Sequence, residues 1–279
     1  MPTIKDREVG VMFWAGRDGL DEIVSLGVRC GQLGIPGDLD LTAAVAREWQ
    51  SALERAGFTL ATVFAAYQGE DYADMPTVRH TVGFIPHVTR EERERRTYEV
   101  SDFAAAIGVG SVATHVGFIP EDNTHPDYIA VREMVRRVAN HAAGHGQTFA
   151  LETGQEPAHV LQRFLKDVDR SNVGINFDPA NMILYGTGDP IEALSTLGPL
   201  VLSVHVKDGD WPPRDREQAL GKERPLGQGI VGIPRFVQKL REIGFRGPLN
   251  IEREAENPQE RIADIRSAVV YLKNLTTSA

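Results

Sequence analysis

The sequence predicts a single (β/α)8 barrel that spans residues 1–279. Strand-like and helix-like stretches alternate along the chain, which is typical of a parallel sheet covered by helices. Eight strands are expected, and the chain is close in length to the ~250 residues of a usual barrel of this type. A doubly wound open sheet is the rival architecture, but it explains less well why polar residues of successive strands should converge. No composition break indicates a second domain.

The predicted strands are short apolar stretches that alternate with polar residues or turn signals. They are expected at 8–14, 28–34, 59–66, 110–118, 147–153, 173–178, 201–208 and 248–253.

The clearest predicted helices lie between these strands. Apolar residues recur at helical spacing in the first helix, which ends at the C-cap candidate Gly57. Pro190 and Pro234 stand where a first helical turn accepts proline. The helices are expected at 41–56, 89–107, 127–145, 157–168, 233–244 and 258–275.

Two connections, 67–88 and 209–232, are longer than a barrel requires. Both follow strands, so both are expected on the active-site face, where the first could serve as a lid. His80 and His87 in the first connection are expected to be solvated loop histidines. The sequence VGFIP occurs at 82–86 and again at 116–120, and the pattern gives no physical reason for the repeat.

Composition excludes some classes of function. The net charge of −9 argues against a nucleic-acid surface, which normally needs a positive footprint. Cys30 is the only cysteine, so neither an intramolecular disulfide nor a thiolate metal cluster is expected, and it should fill a strand as a small apolar residue. We find neither a signal-peptide pattern nor an apolar run near the ~20 residues that span a bilayer, and we expect a cytoplasmic protein.

Four polar residues end four consecutive apolar stretches, and they carry most of the functional information. Because successive strand residues point to opposite faces, the alternation places all four on the face that looks into the barrel. Strand ends of this kind carry the active site of a (β/α)8 barrel. Three carboxylates and one imidazole suit a divalent metal such as Mn²⁺, whereas a solvated strand end is the alternative for any one of them. The four are Glu152, Asp178, His205 and Glu252.

In these stretches the chain resembles the sugar phosphate isomerase/epimerase family, which has a xylose-isomerase-like TIM barrel. The segments that carry the resemblance are ALETGQEP, NVGINFDPANMILYGTGDP, VLSVHVKDGDW and PLGQGIVGIPRFVQKLREIGFRGPLNIERE. It covers nearly the whole chain and is strongest from 148 to 254.

The resemblance implies one divalent metal ion, Mn²⁺ first and Mg²⁺, Co²⁺ or Zn²⁺ as alternatives, held by the four residues above. It also implies an isomerase or epimerase that moves a proton at the carbon next to the carbonyl of a keto-sugar. Glu152 and Glu252 would then serve as general base and general acid. The implied partners are a small carbohydrate and further copies of the chain in a homodimer or homotetramer.

Two positions depart from the keto-sugar 3-epimerase pattern. Asn181 replaces a histidine three residues after the metal aspartate, and Trp211 replaces an arginine six residues after the metal histidine. Substrate contacts therefore differ, which keeps open a metal-dependent lyase acting on 3-keto-glycosides. An endonuclease IV-like DNA repair enzyme would need more histidine ligands, and a non-catalytic sugar-binding protein would not need the full ligand set.

Lys207 shares the inward parity of His205 and is a third catalytic candidate. It could polarise a carbonyl or carry a proton, or it could simply pair with Asp208 or Glu254.

Further candidates for substrate contact lie near strand ends. His115 could instead be a second-sphere donor or a satisfied buried histidine, and aromatic side chains could pack in the core. Glu156 could bind a hydroxyl or lie at a helix N-terminus. His141 and His145 have metal-binding spacing on a helix, but are expected away from the site. The substrate candidates are Trp14, Gln32, His115, Gln155, Asn181 and Trp211.

Overall fold

Eight parallel strands close into a barrel in the computed structural model, which describes residues 5–216 and 218–277. Residues 1–4, 217 and 278–279 of the predicted domain lie outside the described residues. Around the barrel the order is β1-β10-β7-β6-β5-β4-β3-β2. The strands, with the small hairpin β8–β9, are β1 (Val9–Trp14), β2 (Cys30–Ile35), β3 (Thr59–Ala65), β4 (Ser111–Thr114), β5 (Thr148–Glu152), β6 (Val173–Phe177), β7 (Val201–Val206), β8 (Asp208–Asp210), β9 (Lys222–Arg224) and β10 (Leu249–Ile251).

The predicted barrel is therefore confirmed, but several strands were predicted too long, and of 248–253 only Leu249–Ile251 is strand. The stretch 110–118 leaves the sheet after Thr114, and Gly117 has a φ of +88°, which a strand residue does not adopt. The stretch 201–208 is interrupted after Val206, because Asp208–Asp210 turns away to pair antiparallel with Lys222–Arg224.

Helices lie between the strands, and all six predicted helices are present with ends shifted by a few residues. In the helix Ala43–Ala56, the Thr42 side chain caps the N-terminus by accepting a hydrogen bond from the Val45 amide. Gly57 ends this helix with a φ of +58°. No helix of the described residues has the length and apolar character needed to cross a membrane. The helices are α1 (Leu20–Ser25), α2 (Ala43–Ala56), α3 (Met75–Thr81), α4 (Arg90–Ala106), α5 (Pro126–Gly144), α6 (Ala158–Val168), α7 (Pro179–Leu184), α8 (Pro190–Leu197), α9 (Ile233–Glu242) and α10 (Pro258–Thr277).

The main core lies between the barrel and its helices. Phe177 on β6, for example, packs on Phe236 of α9 with ring centroids 6.0 Å apart. Cys30 is buried and unpaired, as predicted for a small apolar filler.

The two long connections are not structureless. The first contains α3, and the second contains the hairpin β8–β9. They meet where the Met75 amide donates a hydrogen bond to the Gln218 carbonyl at 3.1 Å. The connections thus cover the strand ends together.

The repeated VGFIP sequence has a physical explanation in the fold, because its two copies pack against each other. The Phe84 amide donates to the Val116 carbonyl at 2.7 Å. Gly83 and Gly117 both have positive φ, and each lies too close to the other segment's backbone to carry a side chain. Two glycines are therefore needed at one backbone contact.

Candidate metal centre and its cavity

Four neighbouring strands bring the four predicted ligands together. Glu152 ends β5, Asp178 directly follows β6, His205 lies within β7, and Glu252 directly follows β10. Since these strands are adjacent in the barrel, their carboxyl ends form one arc of its rim. All four side chains are buried.

The ligand atoms converge on the His205 imidazole. Its Nδ1 lies 2.8 Å from Glu152 Oε1, 3.2 Å from Glu252 Oε2 and 3.7 Å from Asp178 Oδ2. One ligand atom from each residue falls within 4.8 Å of all the others. Three oxygens and one nitrogen can thus face a single point.

Unpartnered oxygen atoms show that this cluster fits a metal ion. Asp178 Oδ1 accepts a hydrogen bond from the Asn181 backbone amide at 2.9 Å and thereby caps the N-terminus of α7. Its Oδ2 is buried without a hydrogen-bond partner, and Oε2 of Glu152 is likewise buried without a hydrogen bond, with His115 Nε2 3.2 Å away. Buried carboxylate oxygens are costly unless a donor or a cation satisfies them, and a hard divalent cation would satisfy them here.

Burial sets the acid–base character of two of these carboxyls. It raises the pKa of Glu152, and the nearby His115 and His205 charges offset this only in part. Burial likewise raises the pKa of Asp178, against the attraction of Lys207. The positive charges near these two carboxyls are therefore too weak to offset the effect of burial on their pKa values.

Glu252 is the opposite case. Burial would raise its pKa, but the charges of His205 and Lys207 outweigh burial and hold the pKa well below its usual value. In turn, the carboxylates of Glu252 and Glu152 raise the pKa of His205 well above its usual value despite burial. A bound cation would take over the positive charge and release the imidazole proton, because a ligating nitrogen must be unprotonated.

Lys207 pairs with a predicted ligand and not with either expected partner. Its Nζ lies 2.9 Å from Glu252 Oε2 and 3.8 Å from Asp178 Oδ2. Asp208 is occupied by backbone amides instead, and Glu254 pairs with Arg17. The simple surface pairing considered for Lys207 is thus wrong, and the ammonium group belongs to the site.

His115 and Asn181 flank Glu152. His115, the residue after β4, places Nε2 3.2 Å from Glu152 Oε2 and Nδ1 3.4 Å from Gln155 Nε2. Asn181 donates from Nδ2 to Glu152 Oε1 at 3.3 Å and accepts from Lys207 Nζ at 3.4 Å. Both line the cavity, whereas Gln155 is buried behind His115 and does not.

A cavity of about 360 Å³ opens onto this cluster. Aromatic rings form much of its wall, and Trp14 is fixed there by a 2.9 Å hydrogen bond from Nε1 to Glu254. The size suits a small molecule, and aromatic faces suit the C–H faces of a sugar. The aromatic lining residues are Trp14, Phe64, Tyr72 and Tyr185.

Three substrate candidates lie outside the cavity lining, namely Gln155 and two further residues, Gln32 and Trp211. Gln32 is fully buried, and its amide is bonded to His205 and Asn176, so it has no free group for a hydroxyl. Trp211 follows the hairpin strand β8 and is 42% exposed. We correct all three expectations and assign none of these residues to substrate contact.

Sequence reasoning missed Tyr72 and Tyr185 as cavity residues. Tyr72 lies in the long connection 67–88, and Tyr185 directly follows α7. The signal available for Tyr72 was its position in a connection expected over the active site.

The remaining candidates lie elsewhere. His141 and His145 both place Nε2 near Asp102 Oδ1, at 2.7 and 2.8 Å, on the partly exposed faces of α4 and α5. None of the three lines the cavity. His80 and His87 are exposed, and Glu156 is buried just before α6.

Comparison with known proteins places this geometry among related barrels. A family model described as xylose isomerase-like TIM barrel matches residues 20–275. A xylose isomerase domain protein from Planctomyces limnophilus is 41% identical with a TM-score of 0.94, and the match covers 98% of each chain. A D-psicose 3-epimerase with D-fructose shares the fold at 15% identity and a TM-score of 0.69, over 96% of this chain and 99% of that one.

Two other comparisons bear on the metal and on the length. A xylose isomerase-like protein from Mycobacterium smegmatis in complex with magnesium has a TM-score of 0.68 at 18% identity, with 97% of both chains covered. Uncharacterized proteins of Methanocaldococcus jannaschii and Escherichia coli are 25% and 31% identical, over 51% and 38% of this chain. These matches span only 50% and 33% of the curated relatives' own lengths.

Proposed function

Because the chain belongs to the xylose isomerase-like TIM barrel family, we propose that it is a divalent-metal-dependent isomerase or epimerase of a keto-sugar. The reaction is a proton transfer at the carbon next to the carbonyl. One observation carries this proposal: three carboxylates and an imidazole converge within 4.8 Å where a cavity of about 360 Å³ ends. A D-psicose 3-epimerase whose structure was determined in the presence of D-fructose shares the fold and supports this substrate class.

The metal ion would be held by Glu152, Asp178, His205 and Glu252, with Mn²⁺ as our first choice and Mg²⁺, Co²⁺ or Zn²⁺ as alternatives. When bound, such an ion supplies Lewis-acid stabilisation of the negative charge that develops on the substrate oxygens.

Glu152 and Glu252 are the proton-transfer residues in this proposal. A C–H bond beside a ketone is a weak acid, so a positioned carboxylate is needed to remove the proton and a second to return it. Epimerisation is reversible, and each glutamate therefore acts as base in one direction and as acid in the other. Glu252 lines the cavity directly, and Glu152 lies behind His115 and Asn181, which contact it.

Lys207 has two roles in the proposed reaction. Its charge, 2.9 Å from Glu252, favours the ionised carboxylate that a base requires. Because Lys207 also lines the cavity, its ammonium group can donate a hydrogen bond to the oxygen of the developing enediolate.

The first experiment joins metal analysis to a turnover screen. The purified protein is analysed for metals before and after chelation and then incubated with ketohexoses and 3-keto-glycosides in D₂O. We expect one divalent ion per chain, and metal-dependent deuterium incorporation beside the carbonyl. A protein that binds sugars but never exchanges that proton would be a binding protein and would refute the enzyme proposal.

Glu152→Gln tests the proton-transfer role. We expect kcat to fall about 10²- to 10⁴-fold, because the amide cannot take up the proton. The matched control is Glu48→Gln, an exposed position on α2, which should keep parental rates. Equal exchange rates in both variants would rule out Glu152 as an acid or base.

A lyase of 3-keto-glycosides is the second candidate. The ammonium group of Lys207 in the cavity favours it, because elimination needs a proton donor for the leaving oxygen. The two reactions share the first proton abstraction and differ in product. Release of the glycosidic group would select the lyase, and an inverted centre in an intact sugar would select the epimerase.

A further inference from the structure

A buried chain of polar side chains stands behind the metal-facing imidazole. His205 Nε2 lies 2.9 Å from Gln32 Oε1, and Gln32 Nε2 lies 3.1 Å from Asn176 Oδ1. The Ser203 hydroxyl donates to the same Asn176 oxygen at 2.5 Å. Gln32, Asn176 and His205 have no exposed surface, and Ser203 is 3% exposed.

The chemistry of the donors gives this chain a direction. Gln32 uses its NH₂ group toward the Asn176 oxygen, so its carbonyl oxygen faces the imidazole. A carbonyl oxygen only accepts, and Nε2 of His205 must therefore carry a hydrogen. Reversing the Gln32 amide alone would set two acceptor oxygens against each other.

The consequence lies on the other side of the ring. With the hydrogen held at Nε2, the neutral imidazole presents an unprotonated Nδ1 to Glu152, Asp178 and Glu252. An imidazole binds a metal ion through such a nitrogen, and a hydrogen bond from the other nitrogen fixes its tautomer and orientation.

We propose that Gln32 is a positioning residue that fixes the tautomer and orientation of His205 for metal binding. This rests on the metal site of the proposed function and assigns Gln32 a role different from substrate contact. Gln32 reaches His205 across the barrel interior, since β2 and β7 are not neighbours in the sheet. An apolar side chain would fill that interior position without the cost of burying an amide.

The test compares two substitutions at one position. Gln32→Leu removes the acceptor, whereas Gln32→Glu keeps an acceptor oxygen facing Nε2. In the latter, Asn176 can turn its otherwise unpartnered NH₂ group toward the new carboxylate. The readout is the Kd for Mn²⁺, measured by titration without any substrate. We expect binding about 10- to 100-fold weaker in Gln32→Leu and near the parental value in Gln32→Glu.

A matched control separates positioning from packing. Thr62→Val also removes a buried polar group, at the position of β3 paired with Gln32 in register, and should leave the Kd unchanged. Parental affinity in a folded Gln32→Leu protein, or equal losses in both Gln32 variants, would overturn the proposal.

A second measurement reads the tautomer directly. Long-range ¹H–¹⁵N NMR of the Zn²⁺-loaded parent should show His205 protonated at Nε2. A spectrum without a hydrogen at Nε2 would contradict the proposal, and this test holds even if Gln32→Leu fails to fold. A parent that binds no metal would instead refute the metal site. In that case the His205 spectra of the chelated parent and of Gln32→Leu would still be compared. Identical spectra would show that Gln32 does not fix the tautomer of His205.

Discussion

Glu156 shows how one buried carboxyl affects the stability of the fold. Its Oε2 has no hydrogen-bond partner, and burial raises its pKa to about 8. The unfolded chain releases this proton at the ordinary glutamate pKa of ~4.3. The carboxyl's contribution is therefore fully present below that pH and is lost as the pH rises through about 8.

Glu156→Gln should remove this pH dependence, because an amide of the same shape does not ionise. We expect the variant and the parent to have similar stability at about pH 4 and the variant to be more stable at about pH 9. Between those limits the difference should grow by at most ~1.4 kcal/mol per pH unit. Urea unfolding of the chelated proteins measures it, with Glu48→Gln as the control, and parallel stability curves would contradict the assignment.

At this scale, strand parity predicted which residues form the buried carboxylate–histidine cluster but not the depth of each side chain. Glu152 and Gln32 both point into the barrel, as predicted, yet only Glu152 reaches the metal cluster at the rim. Parity states which face a residue occupies, and not its height along the barrel axis. The partner of Lys207 was missed for a related reason, because ion pairs between neighbouring barrel strands such as β7 and β10 depend on strand stagger.

Asp208 organises the second long connection. Its carboxylate accepts hydrogen bonds from the amides of Gly227, Gly229 and Val231 at 2.9, 3.0 and 3.1 Å. The side chain is only 1% exposed, so these are charge-assisted bonds shielded from water. One side chain thus holds the segment that follows the hairpin.

Asp208→Asn should loosen this segment, because its NH₂ group would face backbone donors. We expect a loss of about 3 kcal/mol in the free energy of unfolding, together with faster hydrogen exchange at the three amides. Asp210→Asn is the control, since its pair with Arg224 is partly exposed and should contribute under ~1 kcal/mol. Unchanged exchange at 227–231 would count against the anchor.

The paired VGFIP segments make a separate prediction. Gly83→Ala would place Cβ 2.1 Å from the Val116 carbonyl carbon, whereas Gly69→Ala, at a similar positive φ, would meet no atom within 4 Å. We expect Gly69→Ala to cost about 1–2 kcal/mol for backbone strain alone and Gly83→Ala clearly more. Denaturant midpoints of the two variants measure the difference, and equal midpoints would argue against close packing.

The short elements of the two connections escaped prediction for physical reasons. Helix α3 has seven residues and strands β8 and β9 have three each, too few for a periodic apolar pattern. Longer elements such as α2 and α5 repeat their apolar face over several turns, and their positions were predicted correctly.

At the scale of the whole molecule, metal binding should stabilise the barrel. Three buried carboxylates repel one another until a cation joins them, and an ion that binds only the folded state adds about 2.7 kcal/mol at 100 times its Kd. We expect Mn²⁺ to raise the urea midpoint of the chelated parent. Asp178→Asn should lose this response, and Asp102→Asn, at the exposed histidine cluster, should keep it. A response lost only in Asp102→Asn would instead assign the metal to the cluster of Asp102, His141 and His145.

The barrel itself was predictable because nearly every unit repeats one pattern of strand, loop and helix. Most neighbouring strands in the sheet are also neighbours in sequence, so local alternation was enough to order them. The family resemblance and the ligand parity then agreed with that order.

Closure of the ring depends on the one pairing between strands that are far apart in sequence. Val9 of β1 lies opposite Leu249 of β10, so this pairing closes a loop of nearly the whole chain. The entropic cost of closing that loop is high, and the pairing should therefore form late in folding. The four candidate ligands, however, lie on or directly after β5, β6, β7 and β10, and β10 pairs with β7 on the side away from β1. The candidate ligand set therefore does not depend on the β1–β10 pairing, and metal binding during refolding or synthesis would report that the arc β10-β7-β6-β5 has assembled, whether or not the ring has closed.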